Sequence, residues 1–254
     1  MSIIDAIILG IVEGLTEFLP VSSTGHLILV SHILGLQQTE FHKTFEISIQ
    51  LGSILAVVFL YREKFLNDFN LWKKLIIAFI PTGTIGFVLY KLIKSLFNPY
   101  LVAYMLILGG IIFLVVEYYY KDKEHSIKKI DDISYLKAFM IGVFQSLAMI
   151  PGTSRSGATI IGGLLLGFDR KTAAEFSFLL AVPTMFIATL YDIYKNYHSF
   201  HIDNWINLMI GFVVSFFFAV ISIKLFLDFV KKFNFVPFGI YRIILGLLFL
   251  IFAV

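Results

Sequence analysis

At 254 residues, 59% of them hydrophobic, with a mean hydropathy of +0.89 and only 15% charged residues, this chain falls well below the roughly 25% charged content of a soluble domain. Its expected solvent is the bilayer, which excludes an ordinary soluble enzyme, and no nucleic-acid partner is expected. The absence of cysteine rules out disulfides and thiol catalysis; the net charge of +3 says less than the places where the charges lie.

The chain opens on an apolar region, about 2 to 31, that holds Glu13-Gly-Leu-Thr-Glu-Phe-Leu-Pro-Val-Ser-Ser-Thr-Gly-His26. No positive segment precedes Ile3 to Leu9, so a cleavable signal peptide is not expected. Each charge at membrane depth costs at least about 2.5 kcal/mol on insertion scales, so two carboxylates, two serines and a histidine in one such stretch mark a functional site. Pro20 and Gly25 interrupt the region near its centre, which predicts a re-entrant helix, loop, helix hairpin instead of a span. Apolar runs long enough to cross follow at about 44 to 61, 73 to 92 and 101 to 119. A polar linker, 121 to 134, leads to a second interrupted region, 135 to 165, broken by Pro151, Gly152 and Gly157 and carrying Pro151-Gly-Thr-Ser-Arg-Ser-Gly157. Three more spans are expected at 173 to 194, 206 to 227 and 239 to 254. The expected fold is an all-α polytopic membrane protein with six transmembrane helices and two re-entrant hairpins.

The halves resemble each other. An offset of 132 aligns Leu9-Gly10 with Ile141-Gly142, Ser22 with Ser154, Gly25 with Gly157 and Leu34-Gly35 with Leu166-Gly167. Offsets of 129 and 137 align Glu46-x-Ser48 with Glu175-x-Ser177 and Leu106 to Gly109 with Ile243 to Gly246. Repeats over 1 to 120 and 135 to 254, each a hairpin plus three crossings, would have inverted topologies, which brings the two broken regions together at the midplane. Fifteen cations, Arg62, Lys64, Lys73, Lys74, Lys121, Lys123, Lys128, Lys129, Lys137, Arg170, Lys171, Lys224, Lys231, Lys232 and Arg242, fall on one side of this topology. Lys43, Lys91, Lys94 and Lys195 fall on the other, so the first side is expected to be cytoplasmic and the first hairpin to open outside.

Glu13 and Glu17 are four apart, on one helix face, a spacing that suits a divalent ion, Mg²⁺ or Ca²⁺, shared with phosphate oxygens; a cap or polar bond within the hairpin is the plainer alternative. Ser22 and Ser23 read either as helix caps or, beside His26, as an activated nucleophile. Arg155, flanked by Ser154 and Ser156 at a glycine-bearing loop that opens a helix, suits bidentate binding of phosphate, with a buried ion pair to Glu13, Glu17 or Glu175 as the alternative. Glu46 and Glu175 read as braces of the hairpins, and the small-residue spacings Gly163 to Gly167 and Gly142 to Ser146 as helix contacts.

The stretches 13 to 26 and 151 to 159, together with Phe45-Glu46-x-Ser48-x-Gln50 and Ala174-Glu175-Phe176-Ser177, resemble the signature motifs of the undecaprenyl-diphosphate phosphatases, the bacitracin-resistance family. The resemblance implies interlocked inverted repeats and removal of the terminal phosphate of a C55 polyprenyl diphosphate outside the bacterial cytoplasmic membrane, recycling the cell-wall lipid carrier. It implies Glu13, Glu17, Ser23, His26 and Arg155 as catalytic residues, with either Ser23 or His26 as nucleophile. Ser22, Thr24, Ser154 and Ser156 are expected to help Arg155 bind substrate, and Glu17 with Glu13 to hold the metal, with no organic cofactor. The expected hypothesis has Ser23 attacking, His26 taking its proton, the polyprenyl tail lying among membrane lipids between spans, and a homodimer left open. A transporter of polyprenyl phosphate, which needs binding groups but no nucleophile and base, is the rival reading.

Overall fold

The computed structural model describes residues 1–37, 39–96, 98–120, 127–196 and 205–252, with backbone alone at 94, 192, 193, 195 and 196. Lys121, Lys123 and positions 121–126 of the expected linker lie outside the described residues, as do the side chains of Lys94 and Lys195.

Twelve α-helices form among the described residues. The first apolar region gives α1 (Ile3–Thr16) and α2 (Ser23–Ile33), and the second gives α8 (Tyr135–Ser146) and α9 (Arg155–Leu165). The expected spans are α3 (Glu40–Leu60), α5 (Phe69–Val88), α7 (Pro99–Tyr120), α10 (Arg170–Asn196), α11 (Trp205–Val230) and α12 (Val236–Phe252), with α4 (Arg62–Asn67) and α6 (Tyr90–Ser95) as short connectors. Five of these are long and apolar enough to cross a bilayer. The sixth, α12, has 17 described residues, roughly 26 Å at 1.5 Å per residue. The chain is an all-α, multi-pass membrane protein, and many large apolar side chains face outward, among them Phe69, Phe87, Leu225 and Ile251, as lipid-facing helices require.

Both interrupted regions are helix, break, helix units whose two helices pack together. The breaks are shorter than the glycine positions suggest, because Gly25 and Gly157 lie in the first turns of α2 and α9. There their amides donate to the capping hydroxyls of Ser22 (3.5 Å) and Ser154 (3.1 Å). Each cap serine has a left-handed backbone, φ 69° at Ser22 and φ 73° at Ser154, the only two non-glycine residues with positive φ among the described residues. Gly35 and Gly167 close the same two helices at φ +66° and +87°. Aligned positions thus share conformations that L-residues seldom adopt, a condition usually sustained only by surrounding contacts.

Each hairpin packs on the other half of the chain. Helix α1 runs along α11, and α8 along α5, while α7 pairs with α12 and α3 with α11. Glycine makes the first two contacts close enough: a Cβ on Gly10 would lie 2.9 Å from the Gly211 carbonyl, and one on Gly142 would strike the Ala78 backbone. Gly142 therefore serves as the helix contact expected of it.

Two members of the basic set are buried. Lys74 is buried and donates to the carbonyls of Ile130 (2.9 Å) and Asp131 (2.8 Å). Arg242 is 0% exposed on α12. Its Nη1 donates to Pro20 O (3.1 Å), its Nη2 to Gly152 O (3.0 Å) and Met105 O (3.1 Å), and its Nε to Leu106 O (3.4 Å). One guanidinium thus ties the break before α2, the break before α9 and α7 together. Thirteen cations remain against four once these two are removed from the fifteen, and the bias keeps its sign.

Candidate active site

Broken helices leave amides and carbonyls without intrahelical partners, and here the two breaks satisfy one another. Ser156 Oγ donates to Leu19 O at 2.8 Å, and Arg242 takes a carbonyl from each break. Between them lies a cavity of about 150 Å³ lined by Glu17, Ser22, Ser23, Thr24, Gln50, Ala148, Met149, Pro151, Gly152, Ser154, Arg155 and Met185. A cavity of that size, with hydroxyls, a carboxylate and a guanidinium in its wall, has room for a phosphate group.

The polar wall of this cavity is a connected set. Ser23 Oγ donates to Glu17 Oε2 at 2.5 Å, and Glu17 Oε1 receives Arg155 Nη2 at 3.0 Å. Arg155 Nη1 donates to Ser177 O at 2.9 Å, the guanidinium lies 5.7 Å from the Phe18 ring centroid, and its Nε is buried without a partner. The arginine is therefore fixed from two sides with a donor to spare. Its ion pair is with Glu17, one of the expected alternatives; that pairing does not remove it from the cavity wall.

The remaining expected residues divide. Ser22, Thr24 and Ser154 line the cavity. Ser156 does not: it is buried, spending its hydroxyl on Leu19 O and Ser154, so it joins the breaks instead of facing a ligand. Glu13 sits one turn before Glu17, whose amide donates to Glu13 O at 2.9 Å; its side chain is buried and leaves Oε1 without a hydrogen-bond partner. His26 is turned away from Ser23. Its Nδ1 lies 2.8 Å from Ser22 O and its Nε2 2.7 Å from the Tyr241 hydroxyl. The acceptor at the serine is therefore the Glu17 carboxylate, not the imidazole. Glu46 pairs with His42 (3.3 Å) and Glu175 with Lys171 (3.8 Å), each one turn back on its own helix, so among the described residues neither braces a hairpin through an ion pair.

Four participants were not singled out from sequence as site residues: Gln50 in the cavity wall, Ser177 behind Arg155, and Tyr241 and Arg242 on α12. Arg242 carried one signal, since an ionisable residue inside an apolar run is a functional candidate by default; its place near the start of that run let it pass for an interfacial charge. Gln50 and Ser177 stand in stretches that resemble the family motifs, and Tyr241 is an ordinary residue on a helix distant in sequence.

A family model described as bacitracin resistance protein BacA matches residues 6–248. The chain belongs to this family. It is 72% identical over 253 residues, all of both chains, to a protein of Persephonella marina named undecaprenyl-diphosphatase. A protein of the same name from a Sulfurihydrogenibium species is 67% identical over 98% of each chain, and one from Methanococcus aeolicus 55% identical over the whole of both. The BacA match spans both hairpins, so the cavity and everything that builds it lie inside the family's extent.

Proposed function

We propose that this chain hydrolyses undecaprenyl diphosphate to the monophosphate and inorganic phosphate, with Ser23 as nucleophile. The observation that carries the mechanism is the chain of contacts Ser23 to Glu17 to Arg155 along one wall of the cavity. Family membership and the names of full-length relatives carry the substrate.

In this reading Arg155 forks onto the terminal phosphate, and the N-terminal amides of α2 and α9 add donors where negative charge gathers. Ser23 Oγ attacks the terminal phosphorus, its proton passes to Glu17, and the bond to the bridging oxygen breaks so that the lipid monophosphate leaves. The departing monophosphate takes that proton from Glu17; water then attacks the phosphoserine, one of its protons passes to the freed carboxylate and from there to Ser23 Oγ as the ester bond breaks, and inorganic phosphate departs with Ser23 restored. Phosphoryl transfer is mostly positioning and charge stabilisation, so no organic cofactor is needed.

Glu13 and Glu17 fit a divalent ion. The buried, unpartnered Oε1 of Glu13 beside Glu17 is an acceptor pair of the kind that holds Mg²⁺ or Ca²⁺ with substrate phosphates. Among the described residues no group of three His, Asp or Glu gathers, so phosphate oxygens would have to complete the shell. Once bound, the ion would neutralise charge on those oxygens.

The polyprenyl tail would lie along the apolar, outward-facing helices among membrane lipids, in a bacterial cytoplasmic membrane with the site opening outward. We assign inverted repeats to 1 to 120 and 135 to 254, and leave assembly as a homodimer to measurement. A carrier needs no serine hydrogen-bonded to a carboxylate, and the Ser23 to Glu17 bond favours the enzyme. The test is phosphate release from undecaprenyl diphosphate by detergent-purified protein, with and without chelator. Release that chelation stops is expected; no release under either condition defeats the reading.

A further inference from the structure

His26 is buried and Tyr241 is 45% exposed on α12, yet the tyrosine hydroxyl is spent on the histidine, 2.7 Å from Nε2, with the two rings only 7° from parallel. We propose that Tyr241 is a positioning residue for the reaction above, acting through His26 to hold the Ser22–Ser23 peptide in its catalytic orientation. The proposal rests on the phosphatase reading.

The chemistry of the acceptors sets the order of the chain. A carbonyl oxygen only accepts, so His26 Nδ1, 2.8 Å from Ser22 O, carries a hydrogen. In the neutral ring Nε2 then holds the lone pair, and the Tyr241 hydroxyl donates to it. The Ser22 carbonyl is thereby pulled toward His26, and it takes the His26 backbone amide as well, at 3.3 Å. A trans peptide places its N–H opposite its carbonyl, so the Ser23 amide is turned away from His26. Ser23 is the first residue of α2, its amide has no intrahelical acceptor, and Ser22, Ser23 and Thr24 line the cavity. The result is a donor held ready for a phosphate oxygen beside the nucleophile.

Two further observations separate this from ring packing. Ser22 turns through φ 69° to start α2, and the imidazole takes the carbonyl of that turned residue, directly before the nucleophile. The clamp belongs to the first break, the one that carries the nucleophile: Arg242 takes one carbonyl from each break, Pro20 O and Gly152 O, but Ala158 stands at the position matching His26. In a chain with 28 phenylalanines, a bare ring at 241 would serve packing equally well.

The experiment compares wild type with Tyr241→Phe, which keeps the ring and removes only the hydroxyl. Steady-state phosphate release is measured alongside ¹⁵N spectra of histidine-labelled protein, with the His26 resonances assigned by their loss in His26→Gln. The expected result is a fall in kcat of about tenfold, KM within about twofold, and a displaced His26 Nε2 resonance, the pattern of a lost interaction that matters in the transition state. An unchanged kcat overturns the proposal, as does a lower kcat with the His26 signal in place, which would make Tyr241 a packing residue. If wild type releases no phosphate, the functional reading fails first, while the spectra still report whether the hydroxyl holds the ring.

Discussion

Ser23 Oγ and Glu17 Oε2 are joined by a 2.5 Å hydrogen bond that crosses the first helix break, and the other oxygen of the same carboxylate holds Arg155 at 3.0 Å. One side chain from the end of α1 thereby links a residue of each hairpin. Glu17→Gln keeps the shape but cannot accept the serine proton and weakens the arginine's anchor. Phosphate release is expected to fall by at least about a hundredfold, the lower end for loss of a general base. Turnover within tenfold of wild type would place the base elsewhere.

Arg155→Lys retains a positive charge and loses the planar fork that reaches Glu17 and Ser177 O together. Hydrogen bonds to charged groups are worth roughly 1.5 to 3 kcal/mol, so kcat/KM should drop at least tenfold. Near-wild-type turnover would take Arg155 out of the phosphate clamp.

Ser23→Ala should abolish phosphate release while a labelled substrate analogue still binds, because Arg155 supplies much of the attraction. His26→Ala should leave slow turnover, since His26 supports the break without touching Ser23 Oγ. A Ser23→Ala variant more active than His26→Ala would make the histidine the nucleophile.

Arg242→Met removes the donor for one buried carbonyl of each break, Pro20 O and Gly152 O, and the link from both to Met105 O and Leu106 O of α7. Each buried acceptor left unsatisfied costs about 1 to 3 kcal/mol, and Met cannot bridge the two breaks, so detergent-solubilised protein should show a markedly lower unfolding temperature. An unchanged melting curve would show that the breaks hold without it.

The chain has no cysteine, so single cysteines report orientation directly. Introduced at Gln37, just past α2, a cysteine should react with an impermeant thiol reagent in intact cells; at Lys129, before α8, it should not. The opposite pattern would turn the site to the cytoplasm.

Hydropathy and interruption alone located the five long apolar helices, the shorter α12 and both broken regions, because in a bilayer any uninterrupted apolar run of sufficient length must be helical to satisfy its own backbone. Glu17, Ser23 and Arg155 were legible for a related reason: polar groups in apolar sequence stand out when each costs free energy to bury. What sequence could not decide was which polar group meets which. His26 stands three residues from Ser23 and yet faces Tyr241, 215 positions away, while Glu17, on the far side of Pro20, is the serine's partner. Those pairings depend on how α12 settles against α7 and how two left-handed serines aim the helices that follow them. Arg242 is the plainest case: its residue type and position suggested a membrane edge, and only the packing of both breaks around it made it the central fastening, because the carbonyl left over at each break, Pro20 O and Gly152 O, has to find a donor somewhere.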